Sequence, residues 1–297
     1  MRSALFVPGD SEKKFIKSMS AVGMARPDAL ILDLEDSVAA SEKPKARQMT
    51  ASFIAAARAK PDAPRQFVRV NPVETGLWRD DLAAIMGAAP DGIFQPKCRS
   101  GADVITLANA LDEAERQHGI TPGSTRIMAI ITEVPISLLN LASYVGCSTR
   151  VESMTWGAED LSAAMGSLGN RKPDGDYTSP FRLARDLCLF TATAAGVQPF
   201  DTVFTNYKDD RGLEAESKAA AVDGFTGKVA IHPGQVAIIN EVFTPSAAEI
   251  AKSKRIISAF DDNPGVGVVG LDGEMLDQPH LTRARRITER AKLAGSM

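Results

Sequence analysis

Residues 29–36 read ALILDLED. The stretch begins as a strand, a short aliphatic run with no helical spacing of polar positions, and it ends in acids. Side chains two apart on a strand share a face, so Asp33 and Glu35 point one way while Leu32 and Leu34 point the other, toward covering helices. Asp36 begins the loop. Carboxylates crowded at the end of an apolar strand need compensation, either from a stabilising partner or from the chemistry of a site.

Runs of the same kind recur outward from this one: ALFVPG at 4–9, QFVRVN at 66–71, GIFQPK at 92–97, RIMAIITEV at 126–134, SMTWGAED at 153–160, QPFDTV at 198–203 and GKVAIH at 227–232. Between them lie helical segments: EKKFIKSMSAVG, EKPKARQMTASFIAAARA, DVITLANALDEAERQHG, PISLLNLASYVG, PFRLARDLCLFTATAAG and LEAESKAAAVDG. Several end in a glycine suited to a left-handed stop. The alternation predicts an α/β protein with a parallel sheet. About eight units is the number that closes a (β/α)₈ barrel, with an open doubly wound sheet as the other solution. No Gly-x-Gly-x-x-Gly or Walker sequence follows a strand, which counts against a nucleotide fold.

The 297 residues are 44% hydrophobic and 24% charged, ample for one large core. With 34 Lys plus Arg against 37 Asp plus Glu, the net charge of -3 provides no basic field for nucleic acid or a membrane surface, so an anionic substrate must be held locally. No apolar run approaches the ~20 residues of a spanning helix, and the first residues lack the pattern of a signal peptide. Cys98, Cys147 and Cys188 have no metal-ligand spacing; they read as inert thiols in a reducing compartment, and the cytoplasm is the expected location. After the eighth strand come a helical stretch (SAAEIAKSKRIISAFDDN), a Gly/Val stretch (PGVGVVGLDGEMLD) and a basic helix (PHLTRARRITERAKLAG). The expected division is residues 1–240 as the barrel and residues 241–297 as an extension packed on it or on a neighbouring subunit.

In a parallel barrel the chemistry sits at the C-terminal strand ends. Those ends carry Asp33, Glu35, Arg69 with Asn71, Gln95 with Lys97, Glu133, Glu159 with Asp160, Asp201 and His232. Carboxylates from three strands repel one another unless a cation sits among them, and two of them with water and a chelating substrate suit Mg²⁺. Arg69 offers a planar fork for a substrate carboxylate. Plainer roles stay open: helix caps for EDS and EDLS, a structural partnership of Arg69 with Asp33 or Glu35, a loop anchor in Lys97, a rim histidine in His232. What favours a site is that the charged residues fall at the same end of different strands.

The blocks RSALFVPGD, ALILDLEDSVAASEKPKAR, VRVNP, PK, ITEVP, WGAEDLSAAMG, DTVFTNYKD, GFTGKVAIHPGQVAIINEVFTPS and LDGEMLDQPH follow one another in an order that resembles the citrate lyase β-subunit-like family, which includes malyl-CoA and citramalyl-CoA lyases. The resemblance implies a (β/α)₈ TIM barrel of the phosphoenolpyruvate/pyruvate type with a C-terminal helical extension, assembled as a homotrimer or hexamer. It implies Mg²⁺ as cofactor and CoA thioester and 2-oxo acid substrates. Glu133 and Asp160 then match the metal ligands, Arg69 the carboxylate-binding arginine, with Glu133 also at the substrate, and Glu35 and Asp36 the acids that order metal waters and Arg69. Asp277 matches an acid presented to a neighbour's site, where the residues alone allow a turn before Pro279. Arg2, Lys13, Lys14 and Lys17 are candidates for CoA phosphates or a solvated face. The implied reaction is carbon–carbon cleavage of a 3-hydroxy-3-carboxyacyl-CoA. The alternatives are malyl-CoA hydrolysis, a β subunit acting on an acyl-carrier-protein thioester, and a small-acid aldolase without CoA.

Overall fold

In a computed structural model that describes residues 1–297, eight parallel strands close in sequence order. They are β1 (Ser3–Pro8), β2 (Ala29–Asp33), β3 (Arg65–Arg69), β4 (Gly92–Gln95), β5 (Arg126–Ile130), β6 (Val151–Thr155), β7 (Gln198–Asp201) and β8 (Gly227–Ala230). The barrel prevails over the open sheet because β8 pairs with β1, Ser3 to Lys228 and Ala4 to Val229.

The period-two reading of the strands holds. Leu30, Leu32, Val68, Ile93, Ile127 and Ala129 join a cluster of 46 buried residues between barrel and helices. Ala29, Ile31, Phe67, Phe94, Met128, Ile130, Phe200 and Val229 belong to a cluster of nine inside the barrel, so most of the core lies under the helices. Each fully buried Leu, Ile or Phe contributes ~1.5–3 kcal/mol. Leu34 and Val70 continue the outward pattern past the strand ends. Between β5 and β6 the register slips: Ile127 pairs with Val151, but Met128 with Ser153 and Ile130 with Thr155. The slip aligns Ser153 and Thr155 with inward-facing neighbours.

The strands are shorter than the quoted runs. Glu35, Asn71, Lys97 and Glu133 lie in loops just beyond them, and Glu159 and Asp160 stand in the first turn of helix Ala158–Met165, whose N-cap is Gly157. Sequence reading passed over helix Trp78–Ile85, only eight residues long. It also took PISLLNLASYVG as one helix, where Asn140 separates helix Pro135–Leu139 from a single 3₁₀ turn, its side chain donating to the Arg99 carbonyl.

Beyond helix Pro233–Phe243, helix Ala247–Asp261 and helix Gln278–Leu293 flank a hairpin of β9 (Val268–Leu271) and β10 (Glu274–Asp277). Asp272 and Gly273, with φ of 53° and 80°, make its two-residue turn. Ile256, Phe260, Val269, Leu276, Leu281 and Ala284 form a core of their own. No helix of the chain is long and apolar enough to cross a membrane.

On the outer wall, Lys228 is fully buried, with Nζ 2.6 Å from Asp201 and 2.9 Å from Glu216. Trp156 Nε1 donates to Asp201 at 2.8 Å, and Arg171 meets Glu216 at 2.8 Å. Burial opposes both charges, yet each partner holds the other ionised, Asp201 below and Lys228 above its ordinary pKa. Lys228→Ala strands Asp201 in this setting and should cost ~3–5 kcal/mol of unfolding free energy, measured by urea denaturation.

Candidate active site

Asp33 and Arg69 end adjacent strands in register. Arg69 Nε and Nη2 each reach an Asp33 carboxylate oxygen at 2.7 Å. The other oxygen lone pairs of Asp33 accept the amides of Glu35 (2.9 Å) and Ser37 (3.1 Å). Burial opposes ionisation of Asp33, but these donors hold its pKa below the ordinary carboxylate value. Arg69 Nη1 lies 2.8 Å from Glu35 Oε2, close enough for an ion pair, but Oε2 has no directed hydrogen bond. The guanidinium also sits 4.8 Å from the ring centre of Phe6. Asp33 occupies the Nε–Nη2 edge, which leaves the Nη1–Nη2 edge, beside Glu35, as the one a ligand carboxylate could approach.

Lys97 follows Pro96 with φ of 50°, an uncommon conformation for a residue other than glycine. That turn aims its amide at Glu133 Oε2, 2.6 Å away, and its ammonium into the acids. Nζ lies 2.5 Å from Glu35, 2.9 Å from Asp36 and 3.2 Å from Asp160. Burial works against this ammonium, and the acids raise its pKa well above normal. Sequence reading kept Lys97 as a loop anchor; the structure makes it the bridge between the acids after β2 and the helix that carries Asp160. The available signal was its spacing, two residues beyond Gln95 at a strand end.

Glu133 is buried and has no cation within ion-pair distance. Burial, then the charges of Asp160 and Glu35, push its pKa up to about 8. Gly157 packs against it: a Cβ there would fall 2.5 Å from Glu133 Cγ and 3.0 Å from Oε1. Glu133 and Asp160 line one cavity of about 580 Å³ with Asp33, Asp36 and Arg69, open at the C-terminal end of the barrel. Glu35 stands behind Arg69 and Lys97. No group of three His, Cys, Asp or Glu side chains in ligand geometry occurs. The donor set is two carboxylates, which fits a cation that takes its remaining ligands from water and substrate.

Other expected residues separate. Lys14 and Lys17 line the cavity, but Lys13 does not. Arg2 precedes β1 and so lies at the opposite end of the barrel, paired with Asp28 at 2.7 Å. His232 is at the rim, its Nδ1 accepting the Gly234 amide and its ring stacked on Tyr207. Neither Asp160 nor Asp36 caps a helix; the cap position before Asp160 is Gly157. Asp277 caps helix Gln278–Leu293, with Oδ1 2.6 Å from His280 Nδ1, and is exposed away from this chain's own cavity.

The HpcH/HpaI aldolase/citrate lyase family model matches residues 2–233. The chain belongs to this family. Its members include relatives of near-equal length: citrate lyase subunit beta of Haemophilus influenzae is 34% identical over 98% of this chain and 97% of its own. A (3S)-malyl-CoA thioesterase of Cereibacter sphaeroides is 35% identical over 98% and 94%. The crystal structure of CitE from Mycobacterium tuberculosis in complex with magnesium, acetoacetate and coenzyme A superposes with a TM-score of 0.78, at 31% identity over 98% of both chains. Family membership meets the expectation of an enzyme of the lyase class on a TIM barrel.

The Glu133 environment fixes a pH response. Its folded pKa of about 8 exceeds the ordinary 4.5, so protonation of Glu133 favours the folded state. That stability is complete below about pH 4.5 and is lost as pH rises through about 8. In EDTA, Glu133→Gln should therefore melt above wild type at pH 9, and the difference should shrink toward pH 5 in thermal scans.

Proposed function

We propose that the chain is a Mg²⁺-dependent carbon–carbon lyase that cleaves a 3-hydroxy-3-carboxyacyl-CoA, of the malyl-CoA or citramalyl-CoA type, to a short acyl-CoA and a 2-oxo acid. The observation that carries this reading is the meeting, in one cavity, of a guanidinium with an open edge and two carboxylates of which Glu133 lacks a cation. Glu133 and Asp160 would hold Mg²⁺, which supplies Lewis acidity to the hydroxyl and carboxylate oxygens of the substrate. A relative solved with magnesium, acetoacetate and coenzyme A supports the same ligand classes here.

Arg69 holds the substrate carboxylate through its open edge, and the Asp33 clamp keeps that edge fixed while the bond breaks. Glu35 steadies Arg69 and Lys97 from behind, and Asp36 at the cavity wall orders water. Asp277 of a neighbouring copy, in a homotrimer or hexamer, takes the hydroxyl proton. The bond between the hydroxyl carbon and the thioester α-carbon then breaks, and its electron pair passes to the thioester as an enolate. Protonation of that α-carbon gives the acyl-CoA. The rim lysines Lys14 and Lys17 are the candidates for CoA phosphates. Three cysteines free of disulfides support a cytoplasmic setting.

Similarity to a malyl-CoA thioesterase favours one other reading, in which a water activated by Asp277 hydrolyses the thioester. Purified protein with Mg²⁺ and malyl-CoA or citramalyl-CoA separates the two: lyase action releases glyoxylate or pyruvate, and hydrolysis releases free CoA thiol with no oxo acid. EDTA, Glu133→Gln or Asp160→Asn should each lower turnover by at least ~100-fold while the chain stays folded. Wild-type rates in either variant would remove these residues from the metal site. Failure on free CoA thioesters, with turnover of an acyl-carrier-protein thioester, would point to a subunit of a larger complex.

Asp277 has its own test. Inactive Asp277→Ala and inactive Glu133→Gln chains, mixed into verified hetero-oligomers, should regain activity, because some sites then combine an intact Glu133 with an intact Asp277 from the neighbour. No recovery would return Asp277 to the role of a helix cap.

A further inference from the structure

Thr155 lines the cavity and has no part in the proposed reaction. It ends β6, and its register partner Ile130 faces the barrel interior, so the slip between β5 and β6 turns Thr155 inward as well. It is 1% exposed and lines the cavity, yet Oγ1 meets no hydrogen-bond partner among the protein's atoms. A buried hydroxyl left alone is unfavourable, and valine would fill the same shape without that cost. Ser153, two residues earlier, is also unpaired, but it lies below the cavity floor and does not line it.

Both chain segments that position Glu133 pass this residue. Ile130, its register partner, stands three residues before Glu133, and Gly157, two residues after Thr155, packs on the Glu133 side chain. Its register partners on the two neighbouring strands, Ile130 and Phe200, offer no polar side-chain atom. Thr155 thus offers an uncommitted hydroxyl to a ligand oxygen that reaches this part of the cavity.

We propose that the Thr155 hydroxyl donates a hydrogen bond to an oxygen of the bound 2-oxo acid and is thereby a substrate-binding residue at the inner end of the site. The inference rests on the reading of this cavity as the seat of a Mg²⁺-chelated 2-oxo acid.

The test compares wild type, Thr155→Val and Thr155→Ser in two measurements: calorimetric titration with pyruvate in excess Mg²⁺, and thermal melting without ligand. The valine variant should bind pyruvate about tenfold more weakly, the serine variant should recover most of that loss, and the ligand-free Tm of Thr155→Val should be no lower than wild type. A merely structural threonine gives the opposite Tm result, since valine would then break a bond the fold uses. Wild-type pyruvate affinity in Thr155→Val overturns the inference alone, as does a lowered ligand-free Tm accompanying weaker binding. If wild type binds glyoxylate and not pyruvate, the same comparison is read with glyoxylate; absence of binding of both by the wild type overturns the proposed function and this inference together.

Discussion

The ion pair between Asp33 and Arg69 is the constraint on which the site depends. The two residues end neighbouring strands in register, both turned into the barrel, so the strand ladder alone brings a carboxylate and a guanidinium face to face. A buried guanidinium requires such a partner, and a two-point contact also fixes the plane of the fork. The same carboxylate accepts the amides of Glu35 and Ser37. One side chain therefore orients the arginine and shapes the loop that presents Glu35 and Asp36.

Two buried charge clusters on the same barrel show how function departs from stability. On the outer wall, Lys228 lies between Asp201 and Glu216, Trp156 caps the remaining oxygen, and both ends of the pair are held ionised. At the mouth, four acids share Lys97 and Arg69, and Glu133 is left with a carboxyl that burial and its neighbours keep protonated to about pH 8. On the outer wall the fold pairs Asp201 with a cation; at the mouth Glu133 has none and is held as the neutral acid instead. A buried carboxyl without a cation, lining an open cavity, is the feature on which the proposed cation site rests.

How far the sequence carried follows from the kind of signal each feature leaves. Barrel strands and their faces were legible because apolar runs and period two are local, and the outward placement of Leu32, Leu34, Val68 and Val70 is as read. Asp160 reads as a strand end because nothing local shows that a helix begins at Ala158, two residues before the acid. Arg2 was grouped with the lysines because it is close in sequence, yet β1 carries it to the other end of the barrel. Lys97 was undervalued because its role depends on a backbone turn with positive φ and on three acids from distant segments. Thr155 could not be read at all, since its facing is set by a slip in register between two strands.

In the proposed reaction the acids and the arginine act on the part of the substrate shared by every candidate reaction: a carboxylate beside an oxygen on the next carbon. Carbon–carbon cleavage and thioester hydrolysis differ instead in what reaches that grip from outside, a base on the hydroxyl or an activated water at the thioester. Asp277 is held on a segment with its own small core, exposed and away from its own chain's cavity. The proposed approach of Asp277 to a neighbouring copy would therefore be a property of assembly rather than of the barrel. Deeper in the cavity the apolar lining of Phe94, Ile130 and Val229 offers a second carboxylate no cation. On the proposed reading, selectivity and reaction type would then be governed from opposite ends of one cavity, and could vary independently while Asp33, Arg69 and Glu133 stay fixed.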